Sequence, residues 1–418
     1  MANTRNFCSF HAIGLAVSIR PVPLTLVTAA LLGSLSLCGS SDAHAITHAG
    51  PAGGRSQVGL GAVLTTQDGG QIFGFDIDQN GSDGVLASAQ TIDDQGDVLV
   101  SMETFDQDTG KITKVFAKYQ GLRNEYGMDG IFAGDVGLIT HYVTPKGTIY
   151  AKRVYEVMNP VTAQKFTGPW TPPIKDIDIQ QTAENQTTST GVMFAIELKN
   201  DDKPDLIVSD VAANTFSNVI HLDPNLFGLG DGPQLGQFTS ANQAIFALSP
   251  DGGAVGGQAP VNVLIDLSSG KTKQFNGYNN GFYHAGDVNG IAVDPNTGVT
   301  ATDTELNAEV ELYDMTKKTG IVAVQLPCTG DTDQISSGSG IAVDPVNKLF
   351  LVTETYNACN NSQGSALIVY DEAGNVVETI TGFNFALGEP APVLNPGKRM
   401  GWAFSGPAGV SQLQQFFY

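Results

Sequence analysis

Cysteine is scarce in this chain of 418 residues, with four in all, and tryptophan scarcer, with two. Positive charge is short as well: 21 Lys and Arg stand against 42 Asp and Glu, a formal net charge of −21. Such a surface repels nucleic acid and anionic lipid, so neither is an expected partner. Long apolar runs are missing after the N-terminus, which excludes a later membrane-spanning helix. There is no Gly-x-Ser-x-Gly elbow, no Gly-Lys-Thr phosphate loop and no His-Glu-x-x-His zinc helix. Helical periodicity is almost absent too. Of the histidines only His141, His221 and His284 fall within the body of the chain, well scattered; His221 reads as a packed or surface strand residue. Two tryptophans, Trp170 and Trp402, are too few for a sugar-stacking groove.

Residues 1–45 have the organisation of an export signal that is removed. Arg5 and Arg20 are followed by the apolar run from Val22 to Leu37 and by Ala43-His44-Ala45, a small-x-small cleavage pattern. Cys38 raises the question of a lipid anchor, but Leu37 stands where lipoprotein signals carry a small residue. The expectation is a secreted or periplasmic protein whose residues 46–418 form one domain. Its acidic surface suits solubility, bound Ca²⁺ or cationic ligands. Cys328 and Cys359 remain after processing, and an even pair in an exported chain reads as a disulfide. Closing a loop of that size stabilises a fold by about 3–4 kcal/mol in the chain-entropy model.

What is abundant is glycine, 49 residues, set among short alternating runs punctuated by Asp, Asn and Pro. This is all-β punctuation. Gly290-Ile-Ala-Val-Asp-Pro295 returns as Gly340-Ile-Ala-Val-Asp-Pro345, each followed by a turn and another β-rich run. Self-similarity at that spacing, with strands in the repeat, predicts a β-propeller. Turns that would close the innermost strands fall at Asp94-Gln-Gly96, Pro145-Lys-Gly147, Asp201-Asp-Lys203, Pro250-Asp-Gly252, Pro295-Asn296, Pro345-Val346 and Ser405-Gly-Pro407. Seven anchors predict seven blades, with six as the alternative count. Gly401-Trp-Ala-Phe-Ser-Gly-Pro407 reads as a degraded copy of the motif, followed by a single strand, Gln412 to Tyr418. The N-terminal hairpin, Ala62–Thr65 and Gln71–Phe75, would then complete this last blade from the other end of the chain and abolish two sheet edges.

The stretch from Asn289-Gly-Ile-Ala-Val-Asp-Pro295 to Tyr313-Asp314 resembles a blade of the NHL, YVTN and gluconolactonase/regucalcin-like propellers, best over residues 240–385. The resemblance implies a central metal, often Ca²⁺, held by oxygen ligands at the channel mouth, with Asn289 as one ligand. At the equivalent positions of the neighbouring blades stand Ser339, where that family carries Asp, and Ala244, with Asn242 two residues away. Connections between blades and between the two middle strands emerge on one side, which gathers His284, Asp287, Asn289, Glu305, Asn307, Glu354 and Asn357 at one mouth. Asp135, in an echo of the segment around Asp287, would face them. A histidine with carboxylates is the minimum for acid–base work. Cys328 and Cys359 should emerge on the same face and staple adjacent blades.

The leading expectation is a binding scaffold for a small molecule or protein at that mouth, with no clear catalytic centre. A Ca²⁺-dependent lactone hydrolase is the enzymatic alternative, with Asp287 or Glu305 as a second ligand. A structural partner in a cell-surface assembly, marked by an exposed apolar patch, is the third. Two further segments have calcium-loop character. Asp76-Ile-Asp78-Gln-Asn80-Gly81 opens like a calcium loop, though Ala87 occupies the twelfth position where an EF-hand needs Glu. Asp76, Asp78 and Asn80 would then hold a structural Ca²⁺; an acidic hairpin turn is the plainer reading. Glu197 to Asp205 resembles the calcium turn of integrin-type propeller repeats, but Lys199 takes an inward position and a cation cannot ligate a cation.

Overall fold

The computed structural model describes residues 58–66, 69–91, 97–133, 136–145, 152–158, 177–185, 190–197, 203–210, 215–227, 234–236, 242–248, 261–276, 288–304, 309–325, 336–359, 362–384, 391–406 and 412–418. Residues 1–45, the expected export signal, lie outside this set. The strands fall into six antiparallel sheets arranged as the blades of a propeller. The first strand, β1 (Gly59–Leu64), belongs to the last blade. Next comes a six-stranded sheet of β2 (Gln71–Ile77), β3 (Asp83–Thr91), β4 (Asp97–Asp106), β5 (Ile112–Ala133), β6 (Val136–Pro145) and β7 (Lys152–Met158). A four-stranded blade follows, of β8 (Ile177–Asn185), β9 (Thr190–Glu197), β10 (Lys203–Asp210) and β11 (Thr215–His221). One helical turn, α1 (Pro224–Phe227), leads to β12 (Gln234–Leu235), β13 (Gln243–Leu248), β14 (Val261–Asp266) and β15 (Thr272–Asn276). The repeat-bearing blades are β16 (Val288–Val293), β17 (Val299–Thr304), β18 (Glu309–Asp314) and β19 (Thr319–Gln325), then β20 (Ser336–Asp344), β21 (Leu349–Cys359), β22 (Ser362–Asp371) and β23 (Val376–Thr381). The ring ends in β24 (Val393–Asn395), β25 (Met400–Ser405) and β26 (Gln412–Phe417), which pairs with β1.

Six sheets make six blades, the alternative count of the sequence reading. The seventh repeat is absorbed because β5 serves twice. Its first half pairs with β4 as an outer strand, and its second half pairs with β6. β5 also lies against β2 and β8, and the six-stranded sheet covers two repeat lengths. Closure by the two chain ends is as expected, with one change of register. β24, not β25, is the innermost strand, and Asn395-Pro396-Gly397 is its outgoing turn. The N-terminal hairpin is therefore divided: β1 completes the last blade and β2 opens the next. Four anchor turns share this displacement, those at Asp94-Gln-Gly96, Asp201-Asp-Lys203, Pro250-Asp-Gly252 and Ser405-Gly-Pro407, and follow the second strand of a sheet, while Pro145-Lys-Gly147 follows β6, the fifth strand of the six-stranded sheet. Only Pro295 and Pro345 follow the innermost. First and second strands are both buried apolar runs, so their pattern alone does not rank their depth.

One end of the ring is built from short turns capped by their own first residue. Asp106, Asp266, Asp314 and Asp371 each end a third strand and accept hydrogen bonds from the turn that follows. The hydroxyls and backbone amides of Ser268 and Ser269, four donors in all, hold Asp266 down at about 2. Asp78, Asp294 and Asp344 cap the turns after the innermost strands in the same way. An Asx cap pre-forms the turn and lowers its entropic cost.

The blades join through apolar clusters. Ile341, Val343, Phe350 and Ile368 pack against Val310 and Leu312 of the preceding blade, and Phe194 meets Phe246 edge-on at 5.5 Å. At the inner edge, backbones approach so closely that only glycine fits. A Cβ on Gly340 would lie 2.6 Å from the Ala391 backbone, and one on Gly290 3.1 Å from Ile341 N. This is why Gly precedes Ile-Ala-Val-Asp-Pro in both repeats. The first-to-last junction has its own apolar cluster, with Phe105 edge-on to Trp402 at 5.3 Å, and adds buried amides to it. Gln107 donates from Nε2 to the Asp78 and Asp83 carbonyls at 2.8 and 2.6 Å, and its Oε1 accepts from Asn395 Nδ2 at 3.1 Å. Gln415 Nε2 donates to the Gln107 carbonyl at 2.6 Å. All three amides are buried.

Glu372 follows Asp371 as Gln107 follows Asp106, and it reaches back to Thr297 Oγ1 and towards Asp294 of the preceding blade. Burial and the Asp294 charge push its carboxyl up, against the lowering effects of Thr297 and Lys348. A raised folded-state pKa means that this group stabilises the fold below the ordinary carboxylate range and loses that contribution as pH rises through its folded value.

Two outcomes follow for thermal unfolding. Gly340→Ala should destabilise by about 1–3 kcal/mol through overpacking against Ala391, visible as a lower midpoint at every pH. Glu372→Gln, which installs the residue type found at the first-to-last junction, should raise the midpoint by roughly 1–3 °C at pH 7.5. That gain should shrink towards zero near pH 4, and a constant gain across this range would refute the carboxyl pair as its source.

Candidate functional site

The end of the ring opposite the capped turns is where the innermost strands begin. Four of them carry an extra residue there. β2 bulges at Phe73, β8 at Gln180, β16 at Asn289 and β20 at Ser339, each between two paired neighbours. Each stands at the same distance before the turn residue of its strand, Asp78, Asn185, Asp294 or Asp344. A bulge bends the strand, raises its twist and re-aims a residue, and such bulges recur at barrel rims and beside sites. The four bulge positions, one held by an aromatic and three by polar residue types, thus fall at one register level of their innermost strands.

Asn289 takes its place in this ring, at the start of β16. Glu354 does not lie on a loop: it is the sixth residue of β21, fully buried, opposite Gly338 and Ala366. β21 is long enough to carry Asn357 and Cys359 as strand residues too. Asp135, His284, Asp287, Glu305, Asn307 and Cys328 lie outside the described residues, as does Trp170; Trp402 is a buried core residue. No disulfide is found among the described residues.

At the other end, Asp76 and Asp78 are both buried, while Asn80 is exposed on the turn. Asp78 Oδ1 accepts from Asn80 N at 2.9 Å, and Asp76 Oδ1 accepts from Ile77 N at 2.8 Å. Burial pushes the Asp76 carboxyl well up; the Ile77 amide opposes this and the charge of Asp78 adds to it. No group of three or more His, Cys, Asp or Glu among the described residues is placed to hold a metal ion.

Sequence reasoning missed an Asp–His pair on the outer strands of the third sheet in chain order. Asp205, fully buried on β10, meets His221 Nδ1 of β11 at 2.7 Å, with the imidazole 75% exposed. A buried carboxylate fixes the orientation and tautomer of such a ring and leaves its far nitrogen in solvent. The pair is cross-strand, so two residues distant in sequence meet only through register. Glu103 and Glu311 were missed as well. They are buried on third strands at one register, where sibling blades carry Val263 and Ile368; that contrast was the available signal.

With this architecture the class is defined: an all-β propeller with almost no helix. A solved structure described as "Structure of Dos1 propeller" is similar over 85% of this chain and 82% of its own, with a TM-score of 0.51 and 9% identity. At that identity the likeness is one of fold. No family model matches the chain, and no curated protein does. Among the described residues no helix is long and apolar enough to cross a membrane.

Proposed function

We propose that the protein is an exported binding scaffold that recognises a small molecule or a protein at the channel mouth, without a catalytic centre of its own. The ring of bulges carries this reading. One end of the propeller repeats the same capped turn from blade to blade, whereas the other sets a different residue at each bulge, Phe73, Gln180, Asn289 and Ser339. Repetition on one face and variation on the other is the division between scaffold and recognition surface. The connections 277–287, 326–335 and 385–390 join strands that open towards the varied end. They include His284 and Asp287. A calcium-dependent lactone hydrolase would need a charged ligand beside Asn289, and the corresponding bulge residue is the neutral Ser339.

One observation favours a protein partner. Leu60 and Val63 on β1 and Val376 and Val377 on β23 are exposed on the outer strands of adjoining blades. Apolar residues on neighbouring sheet edges suit a structural contact in an assembly.

The test is a thermal-shift screen of lactones, sugars, amino acids and polyamines against the wild type, Asn289→Ala and His284→Ala. Both variants should keep the ligand-free midpoint, and a compound that raises the wild-type midpoint should lose its effect in each. A shift that survives both substitutions would remove the mouth as the site. Turnover of δ-gluconolactone that is abolished by chelation and by Asn289→Ala would replace the scaffold reading with the hydrolase.

A further inference from the structure

The segment Gly74-Phe75-Asp76-Ile77-Asp78 occupies the place that Gly290-Ile-Ala-Val-Asp294 and Gly340-Ile-Ala-Val-Asp344 occupy in their blades. The ladders make this alignment independent of sequence similarity. Asp76 pairs with Val85, Ala292 with Ala301 and Ala342 with Leu351, and the outgoing turn begins two residues later in each strand. Asp78 is therefore a member of the series of capping residues with Asp294 and Asp344. Asp76 is not. It stands where the sibling blades place a methyl group, Ala292 and Ala342, packed in the clusters between blades.

A carboxylate at such a position costs several kcal/mol unless something neutralises it. Asp76 is only 8% exposed, and its Oδ2 is fully buried without a hydrogen-bond partner. No lysine, arginine or histidine pairs with Asp76 or Asp78 among the described residues. Residues two apart on a strand project to one face, so the two carboxylates lie side by side. The turn is folded over the second of them. A Cβ on Gly81 would fall 2.2 Å from Asp78 Oδ2, so the turn backbone lies directly against this oxygen.

We infer that Asp76 and Asp78, together with Asn80 on the turn, hold a hard divalent cation of the Ca²⁺ class beneath the first blade. The donors are all oxygen, which suits calcium and disfavours the softer transition metals. The two carboxylates supply the charge, and the exposed Asn80 amide with solvent completes the shell. The ion turns a buried like-charge pair into a neutral cluster, at a position where sibling blades need no charge. It is a structural site at the end of the ring opposite the mouth, next to the Gln107 carbonyl clamp on Asp78 and Asp83.

The experiment is calorimetric titration of chelator-treated protein with CaCl₂, alongside thermal unfolding across the same concentrations. The wild type should bind Ca²⁺ at this site and show a saturable rise in midpoint of several degrees. Asp76→Ala restores the residue type of Ala292 and Ala342, so it should fold, lose that binding event and unfold independently of Ca²⁺. Asp76→Asn keeps the shape of the side chain and should lose the event as well, which guards against a packing artefact in the alanine variant. Asn289→Ala should retain it. No binding by the wild type, or binding unchanged in both Asp76 variants, overturns the site. So does a Ca²⁺ response abolished by Asn289→Ala alone, which would put the ion at the mouth.

Discussion

The structure depends on closing the ring. A propeller blade is a sheet with two apolar faces, and each face is covered only when another blade stands on either side. The first and last blades draw most of their strands from opposite ends of the chain, with the β1–β2 connection as their direct covalent link. Here they are joined by main-chain pairing of β1 with β26, by an apolar cluster in which Phe105 packs on Trp402 and Phe75 on Phe404, and by the buried amides of Gln107, Asn395 and Gln415. Side-chain amides suit this junction because each offers both donor and acceptor, so three of them satisfy five main-chain carbonyls and amides with no net charge. Tyr418 ties the last blade to the one before it. Its buried hydroxyl donates to Asp344 Oδ2 at 3.0 Å, and its ring lies under Arg399. Burial and the Asp344 charge raise this phenol, which keeps it a neutral donor.

With the ring closed, the same turn position does different work at different junctions. The side chain after the third-strand Asp is Gln107 against Asn395 at one junction and Glu372 against Asp294 at another. The first is a satisfied neutral contact. The second brings two carboxyl groups together and makes the stability of that junction depend on proton concentration. Local geometry is conserved by the Asx caps, and the chemistry between blades varies above them. The same logic applies to Asp76, which occupies an alanine position of the repeat without disturbing the strand that carries it.

Division of labour between the two ends follows from strand direction. Every innermost strand runs from the varied end to the capped end, so the bulges at Phe73, Gln180, Asn289 and Ser339 fall at one level and the Asp turns at the other. Bulges relieve the ladder where the innermost strands come closest, beside glycines such as Gly290 and Gly340 that let the backbones touch. The capped end then repeats one turn from blade to blade, while the other end carries a different residue at each bulge.

Much of this was legible in the chain. Alternating runs, glycine punctuation and the repeated Gly-Ile-Ala-Val-Asp-Pro dictated strands, turns and a ring of repeats, because these are local consequences of backbone preference and side-chain period. Asn289 could be placed on an innermost strand for the same reason. Depth within a blade could not be read: β13 and β25 have the apolar pattern of innermost strands yet stand second, since both positions are equally dry. Nor could the fusion of two repeats through β5, which rests on hydrogen-bond continuity across a blade boundary. Glu354 looked like a loop residue until the length of β21 showed it buried. The contacts of Asp205 with His221, of Gln107 with Asn395 and of Tyr418 with Asp344 join residues that no sequence period relates. Local propensity determined the pieces, and only the closed ring, by choosing which faces lose water against which neighbours, decided which polar groups are buried and what must satisfy them.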